Sequence, residues 1–257
     1  MNRVNAPDGT PLVFDVYEPA QPAAAVLLLR DWQPQPSAAD AGWAMAGEQL
    51  QAAGLAAYVL DQRGHGRSGG KRGHLSRFSQ LLGDLQAFRR VVRRRHEVPQ
   101  VLGGQGFGAL VVLRYLETQP GEPPVGAVLS GPWLAPRVRP APWKRLAAQL
   151  ADLWPSLPTG RGSGYMTAGA RAELLWAQRA VLADYQRIDR QLLFLLGGAD
   201  RDIDPAVSRD FAGRLGPGAQ LQWYPELGHD LFNVQHVIDD LRAFVARCRS
   251  SEHDPKI

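Results

Sequence analysis

Residues 101–113 read Val-Leu-Gly-Gly-Gln-Gly-Phe-Gly-Ala-Leu-Val-Val-Leu. A short apolar run enters a cluster of glycines at 103, 104, 106 and 108, and an apolar segment leaves it. A strand that turns at once into a helix brings the two backbones very close together. Glycine permits this because it has no Cβ to collide with the neighbouring chain. Val101-Leu102 is therefore expected in the strand that enters the turn, and Phe107 to Glu117 in the helix that leaves it.

The rest of the chain alternates in the same way. Asp8-Gly9 signals a turn, and Leu12 to Tyr17 reads as the strand returning from it. Ala24 to Leu29 is continuously apolar, as in a strand buried on both faces. A polar loop from Arg30 to Pro36 follows, then a helix from Ser37 to Ala53 ended by Gly54, then a buried strand from Ala56 to Leu60. Phe78, Leu81, Leu82, Leu85, Phe88 and Val92 recur at helical spacing. Val125 to Leu129, Leu192 to Leu196 and Leu221 to Tyr224 are further strands. Pro205 to Leu215 is a helix, and Val234, Val237, Ile238, Leu241 and Val245 form the apolar stripe of a last one. Such alternation predicts a mostly parallel sheet with helices on both faces. The interval from Trp133 to Ile188 breaks the rhythm with Pro, Gly, Arg and four of the seven tryptophans, at 133, 143, 154 and 176. It reads as a cap inserted in the core, with helices at Arg145 to Leu153 and Ala170 to Tyr185 around a loose Pro155 to Gly164. The expected division is core 1–132, cap 133–188, core 189–250 and tail 251–257. The tryptophans are expected to pack cap on core; a lipid-facing lining is the alternative.

Several functional classes are disfavoured by composition. The balance of 29 Lys+Arg against 25 Asp+Glu leaves +4, so the run Arg89-Arg90 and Arg93-Arg94-Arg95 reads as a solvated helix face, not a nucleic-acid surface. The single cysteine, Cys248, excludes an intramolecular disulfide and a cysteine-based metal site. No apolar run is long enough to span a bilayer and the N-terminus has no signal-peptide pattern, so the chain is expected to be soluble and cytoplasmic. The His65 and His74 pair lacks further ligands at suitable spacing, and no metal is expected.

Chemistry concentrates in three loops at the C-terminal ends of expected strands. One is the glycine turn, which has the setting of the nucleophile elbow G-x-S-x-G, a strained turn that projects a serine hydroxyl. Here the serine position is Gly106, which has no side chain to attack with. The others carry Asp200, in Gly197-Gly198-Ala199-Asp200, and His229, in Leu227-Gly228-His229. Asp200 would orient the imidazole of His229, which would act as general base, with Asp202 as the fallback acid. Ser130 lies in a Ser-Gly-Pro turn without elbow geometry, and Ser68 is expected to be structural.

The stretch Asp61-Gln62-Arg63-Gly64-His65-Gly66-Arg67-Ser68-Gly69-Gly70, followed by Arg72-Gly73-His74, closely resembles the signature of monoacylglycerol lipases and lysophospholipase-like α/β-hydrolases. Residues 197–200 and 224–233 are similar to the acid and histidine segments of that group, and the likeness covers most of residues 10 to 247. The resemblance implies an α/β-hydrolase fold with a short helical cap and hydrolysis of carboxylic esters without a cofactor. It also implies an oxyanion hole formed by the backbone N–H groups of Trp32 and Phe107.

Two departures accompany the missing serine. Arg30-Asp31 stands where the family has His-Gly, which brings a carboxylate toward the place where negative charge would develop. The cap is short against the family pattern. A serine replaced in the laboratory would leave the oxyanion loop untouched, so this clustering points to natural divergence. The expected function is a non-hydrolytic protein of this fold that binds a small apolar or acyl-ester ligand, or a partner. One alternative is an esterase or lipase whose active form has serine at 106. Another is a non-hydrolytic enzyme in which the His229–Asp200 dyad is the base and Arg30 contacts an anionic group of the ligand.

Overall fold

The structure, a computed structural model, describes residues 2–33, 40–118, 122–137, 141–143, 146, 153–159 and 165–252. Its centre is one eight-stranded sheet. The strands are β1 (Asn2–Asn5), β2 (Pro11–Tyr17), β3 (Ala25–Leu29), β4 (Ala56–Asp61), β5 (Gln100–Gln105), β6 (Gly126–Ser130), β7 (Gln191–Gly197) and β8 (Ala219–Tyr224). Their order is β1-β2-β4-β3-β5-β6-β7-β8. All neighbours from β4 to β8 are parallel, whereas β2 lies antiparallel to both β1 and β4. β3, β5 and β6 are buried along their whole length, because helices cover both faces of the sheet centre. β1 is the strand paired across the turn at Asp8-Gly9; its four residues are too short and polar to show an alternation.

The helices are α1 (Asp40–Ala52), α2 (Phe78–Arg95), α3 (Phe107–Thr118), α4 (Ala168–Asp184), α5 (Pro205–Leu215) and α6 (Gln235–Glu252). Alternate residues of β3 face opposite cores. Ala25, Leu27 and Leu29 pack with the apolar faces of α2, α3 and α4. Val26 and Leu28 pack with Trp43 and Leu50 of α1 and with Val237, Ile238, Leu241 and Val245 of α6. The expected stripe of α2 is buried at Phe78, Leu81, Leu85, Phe88 and Val92, while Leu82 is only partly buried. The last helix continues to Glu252, two residues into the segment expected to be tail.

Two expectations need correction. The basic run of α2 is not solvated throughout: Arg89 is buried, donating to Gln100, Tyr115 and the Glu122 carbonyl, and so ties α2 to β5 and α3. The tryptophans of residues 133–188 do not all pack inward. Trp133 is partly buried against the core, but Trp143, Trp154 and Trp176 are 55%, 61% and 52% exposed. Most of the expected helix at 145–153 and part of the loose stretch at 155–164 lie outside the described residues. Helix α4 begins two residues earlier than expected because the Thr167 hydroxyl accepts the Ala170 N–H and caps it. Among the described residues, no helix is long and apolar enough to cross a membrane.

Candidate functional site

The C-terminal ends of β3, β5, β7 and β8 bring together Asp31, Gly106, Asp200 and His229, 198 residues separating the first from the last. Parallel strands align their C-terminal ends on one side, so the loops that follow them share one crevice.

Gly106 sits in the left-handed region, with φ 53°, as the residue between β5 and α3. Its N–H donates to the Ser130 carbonyl at 2.9 Å, and its own carbonyl accepts from Trp133 N at 3.0 Å. A Cβ on Gly108 would collide with the Leu29 and Arg30 carbonyls, so this glycine is demanded by helix–strand packing alone. The collision at Gly106 is of another kind. A Cβ there would fall deep inside the Asp31 carboxylate. The space that a serine side chain would need is occupied by Asp31.

Asp31 is held at both oxygens. Its Oδ1 accepts the backbone N–H of Trp32 at 2.7 Å and of Phe107 at 2.6 Å. These are the two donors expected to form an oxyanion hole, and the carboxylate accepts from both. Its Oδ2 accepts from His229 Nε2 at 2.8 Å, where a serine hydroxyl would be expected to engage the imidazole. On the far side of the ring, His229 Nδ1 donates to Asp200 Oδ2 at 2.7 Å. Asp200 is buried, its Oδ1 accepts the N–H groups of Asp202 and Ile203, and Arg137 donates to its carbonyl. Asp200 is thus the acid that reaches His229; Asp202 supplies a backbone donor to it.

One imidazole therefore lies between two carboxylates, and the electrostatics follow. Burial alone would lower the His229 pKa, but Asp200 and Asp31 outweigh it and raise the value to about 11. Burial pushes Asp31 and Asp200 up, yet His229 and the backbone donors prevail and hold both carboxylates below the ordinary range. At neutral pH the cluster is an imidazolium flanked by two carboxylates. Asp31 keeps a side-chain exposure of 31%, against 11% for His229, so Asp31 is the member that a ligand can reach.

Arg30 points elsewhere. It forms ion pairs with Asp15 at 3.1 Å and Asp61 at 3.2 Å, beside Arg67, which pairs with the same two acids. A guanidinium placed between two carboxylates has no reason to turn into the crevice. The signature stretch after β4 is a structural knot of the same type. Arg63 is buried against Asp84 and Asp8, and the Ser68 hydroxyl bridges the Asp61 carbonyl and Val13 N–H. His65 is buried and its pKa falls to about 4 through burial, so it is neutral, with Nδ1–H donating to the Arg63 carbonyl. His74 instead meets the Thr167 hydroxyl, and the two histidines do not face a common site. Among the described residues, one acid–histidine group is compact enough for a metal ion: Asp200, Asp202 and His229. With both ring nitrogens protonated, His229 offers no lone pair to a metal.

The neighbourhood is aromatic. The Trp32 ring stands edge-on to His65 and Phe107, and Phe107 meets Trp133. The Trp32 indole donates to the Tyr165 carbonyl at 2.9 Å, which ties the loop bearing Asp31 to the segment before α4. Asp31 was expected beside the two backbone donors of Trp32 and Phe107, and its carboxylate binds both. The available signal was the pairing of an added carboxylate at 31 with a removed side chain at 106. The Trp32–Tyr165 bond left no signal, since its acceptor is a backbone carbonyl.

Residues 42–163 and 159–236 match the serine aminopeptidase S33 family. The chain is 28% identical to a monoacylglycerol lipase of Mycolicibacterium smegmatis over 267 aligned positions, spanning 92% of this chain and 93% of that protein. Among solved structures, a soluble variant of monoglyceride lipase from Saccharomyces cerevisiae in complex with a substrate analog superposes with a TM-score of 0.83 at 17% identity, over 96% of this chain and 95% of that one. Est1E from Butyrivibrio proteoclasticus with bound ferulic acid gives 0.77 at 15% identity, over 98% and 100%. These two likenesses concern the fold.

Proposed function

The chain belongs to the serine aminopeptidase S33 family of α/β-hydrolases, and from that premise we propose that it has left acyl hydrolysis and binds a small apolar or acyl ligand at the crevice bearing Asp31. The observation that carries the reading is the Asp31 carboxylate in the oxyanion hole. Acyl transfer needs a nucleophile, a base and donors for the developing oxyanion. Gly106 supplies no nucleophile. His229, protonated between Asp31 and Asp200, is no base at neutral pH. Trp32 and Phe107 spend their N–H groups on a charge the protein carries itself.

The partly buried rings of Trp32 and Trp133 support an apolar ligand, as does the relative named a monoacylglycerol lipase. Residues 133–188 act as the cap over this crevice in the same reading. The esterase alternative, with serine at 106, meets the steric conflict between residue 106 and Asp31. The general-base alternative meets a histidine whose two nitrogens both already donate.

The test is a panel of p-nitrophenyl esters of varied acyl length, with calorimetric titration of a monoacylglycerol and a fatty acid. No ester turnover and saturable binding of an acyl compound are expected. Ester hydrolysis at a hydrolase-like rate that vanishes in His229→Ala would overturn the reading.

A further inference from the structure

We propose that the cavity between the C-terminal half of α2 and the start of β5 binds a phosphomonoester, its phosphoryl group on Arg89 and Arg90 and its organic part against Val98, Pro99 and Val125. The site lies apart from the crevice, since Gln100 opens β5 and Gly106 follows its last residue, about 20 Å along the strand. Its occupancy is independent of what the crevice binds.

Three arginines are buried among the described residues: Arg63, Arg89 and Arg114. Arg63 pairs with Asp84 and Asp8, and Arg114 pairs with Glu117. Arg89, only 8% exposed, has neutral partners alone. Its Nε donates to Gln100 Oε1, and its Nη1 to the Tyr115 hydroxyl and the Glu122 carbonyl. The Glu122 carboxylate turns instead to Arg93. Nη2 of Arg89 donates to nothing among the described residues and is not sealed from solvent. A buried guanidinium stays charged, and a buried charge is costly unless an anion meets it. The fork is also fixed in advance. Gln100 Nε2 donates back to the Arg89 carbonyl, so little side-chain freedom is left to lose when a ligand arrives.

The surroundings choose the anion. Arg89 lines two cavities, of about 80 and about 640 Å³, which also share Arg93, Gln100 and Glu122. Exposed Arg90 lines the smaller and exposed Arg94 the larger, and neither makes an ion pair among the described residues. Four arginines against Glu97 and Glu122 leave an excess of two positive charges. That excess matches a phosphoryl dianion better than a single carboxylate, and guanidinium groups bind phosphoryl oxygens through strong charge-assisted hydrogen bonds. The C-terminal end of a helix attracts cations by itself, which accounts for Arg93, Arg94 and Arg95 without a ligand. It does not account for Arg89, which is buried and lies well before the helix end. The larger cavity has room for the rest of a small molecule and offers it Val98, Pro99, Pro123 and Val125.

The experiment titrates phenyl phosphate calorimetrically into the full-length protein at low salt and about pH 8, where the phosphoryl group is a dianion. Saturable one-to-one binding is expected, with nitrogen-15 amide shifts at Arg90, Gln100 and Val125. Inorganic phosphate, which lacks the organic part, and benzoate, which carries a single charge, should each bind about tenfold or more weakly. Arg90→Ala, a change at an exposed position, should weaken phenyl phosphate binding by about tenfold, and Arg89→Lys by at least as much. If Arg89→Lys fails to fold by circular dichroism, Arg90→Ala carries the test. The proposal is overturned by no binding, by inorganic phosphate or benzoate held as tightly as phenyl phosphate, or by undiminished binding in Arg90→Ala. Amide shifts confined to Trp32 and Phe107 would overturn it too, by placing the ligand in the crevice. Ester turnover and acyl binding at the crevice are read in separate assays, so the two readings can fail separately.

Discussion

Restoring a serine at the elbow should not by itself restore a hydrolase, and the structure sets the scale of the failure. In Gly106→Ser the new Cβ cannot coexist with the Asp31 carboxylate, which must leave its two N–H donors. Hydrogen bonds to a charged group contribute about 1.5–3 kcal/mol each, so expulsion costs about 3–6 kcal/mol. A side chain at φ 53° adds about 1–2 kcal/mol. Against a total stability of about 5–15 kcal/mol for a domain, the single variant is badly weakened. Asp31→Gly removes the conflict in advance, so the double variant should bear only the backbone strain beyond the cost of Asp31→Gly alone. A double-mutant cycle by urea denaturation should therefore give a favourable coupling of about 3 kcal/mol or more, the upper end for residues in contact. Kinetics should agree. In the single variant the expelled carboxylate stays beside the two N–H groups and opposes the negative charge that develops there, so it should trail the double variant on p-nitrophenyl butyrate by about 100-fold, the value of one oxyanion donor. Additive stabilities, or equal ester turnover and equal fluorophosphonate labelling of the two variants, would refute the reasoning.

Four further outcomes follow from these contacts. Nitrogen-15 spectra at pH 8 should show His229 doubly protonated, and Asp31→Ala should move its titration toward the ordinary 6.5 from about 11. Because the folded-state value is the raised one, the His229 contribution to stability is complete below about pH 6.5 and lost as pH rises through 11, so wild type should lose more stability over that window than His229→Gln. The opposite sign holds for Asp31 and Asp200, whose depressed values give stability that is lost as pH falls below the ordinary carboxylate value of 3.8, measurable as an acid unfolding limb. Asp84→Ala should cost about 3–5 kcal/mol in urea denaturation, since it leaves buried Arg63 with the exposed Asp8 as its remaining ion pair.

Much of the fold was legible because it is written in local patterns. The continuous apolar run of β3, the helical stripe of α2 and the glycine turn before α3 each report their own burial or backbone conformation. The positions of Asp200 and His229 followed from strand ends, since parallel strands must deliver them to one edge. What could not be read depends on side-chain direction. Arg30 and Asp31 are adjacent, and a backbone on which successive side chains diverge sends one to Asp15 and Asp61 and the other into the crevice. Trp176 meets the core by stacking under Arg114 of α3, whereas Trp143 and Trp154 stay largely exposed, because aromatic composition does not tell which face of a cap looks outward. Arg89 was hidden for a related reason: a basic run gives no sign of which member meets Gln100 and Tyr115.

The overlap between residue 106 and the Asp31 carboxylate makes the two positions conditional on each other. Any side chain at 106 and a carboxylate seated on the Trp32 and Phe107 N–H groups exclude one another, so glycine at 106 is what gives Asp31 its seat. A side chain can enter at 106 without a clash only where residue 31 no longer reaches those donors.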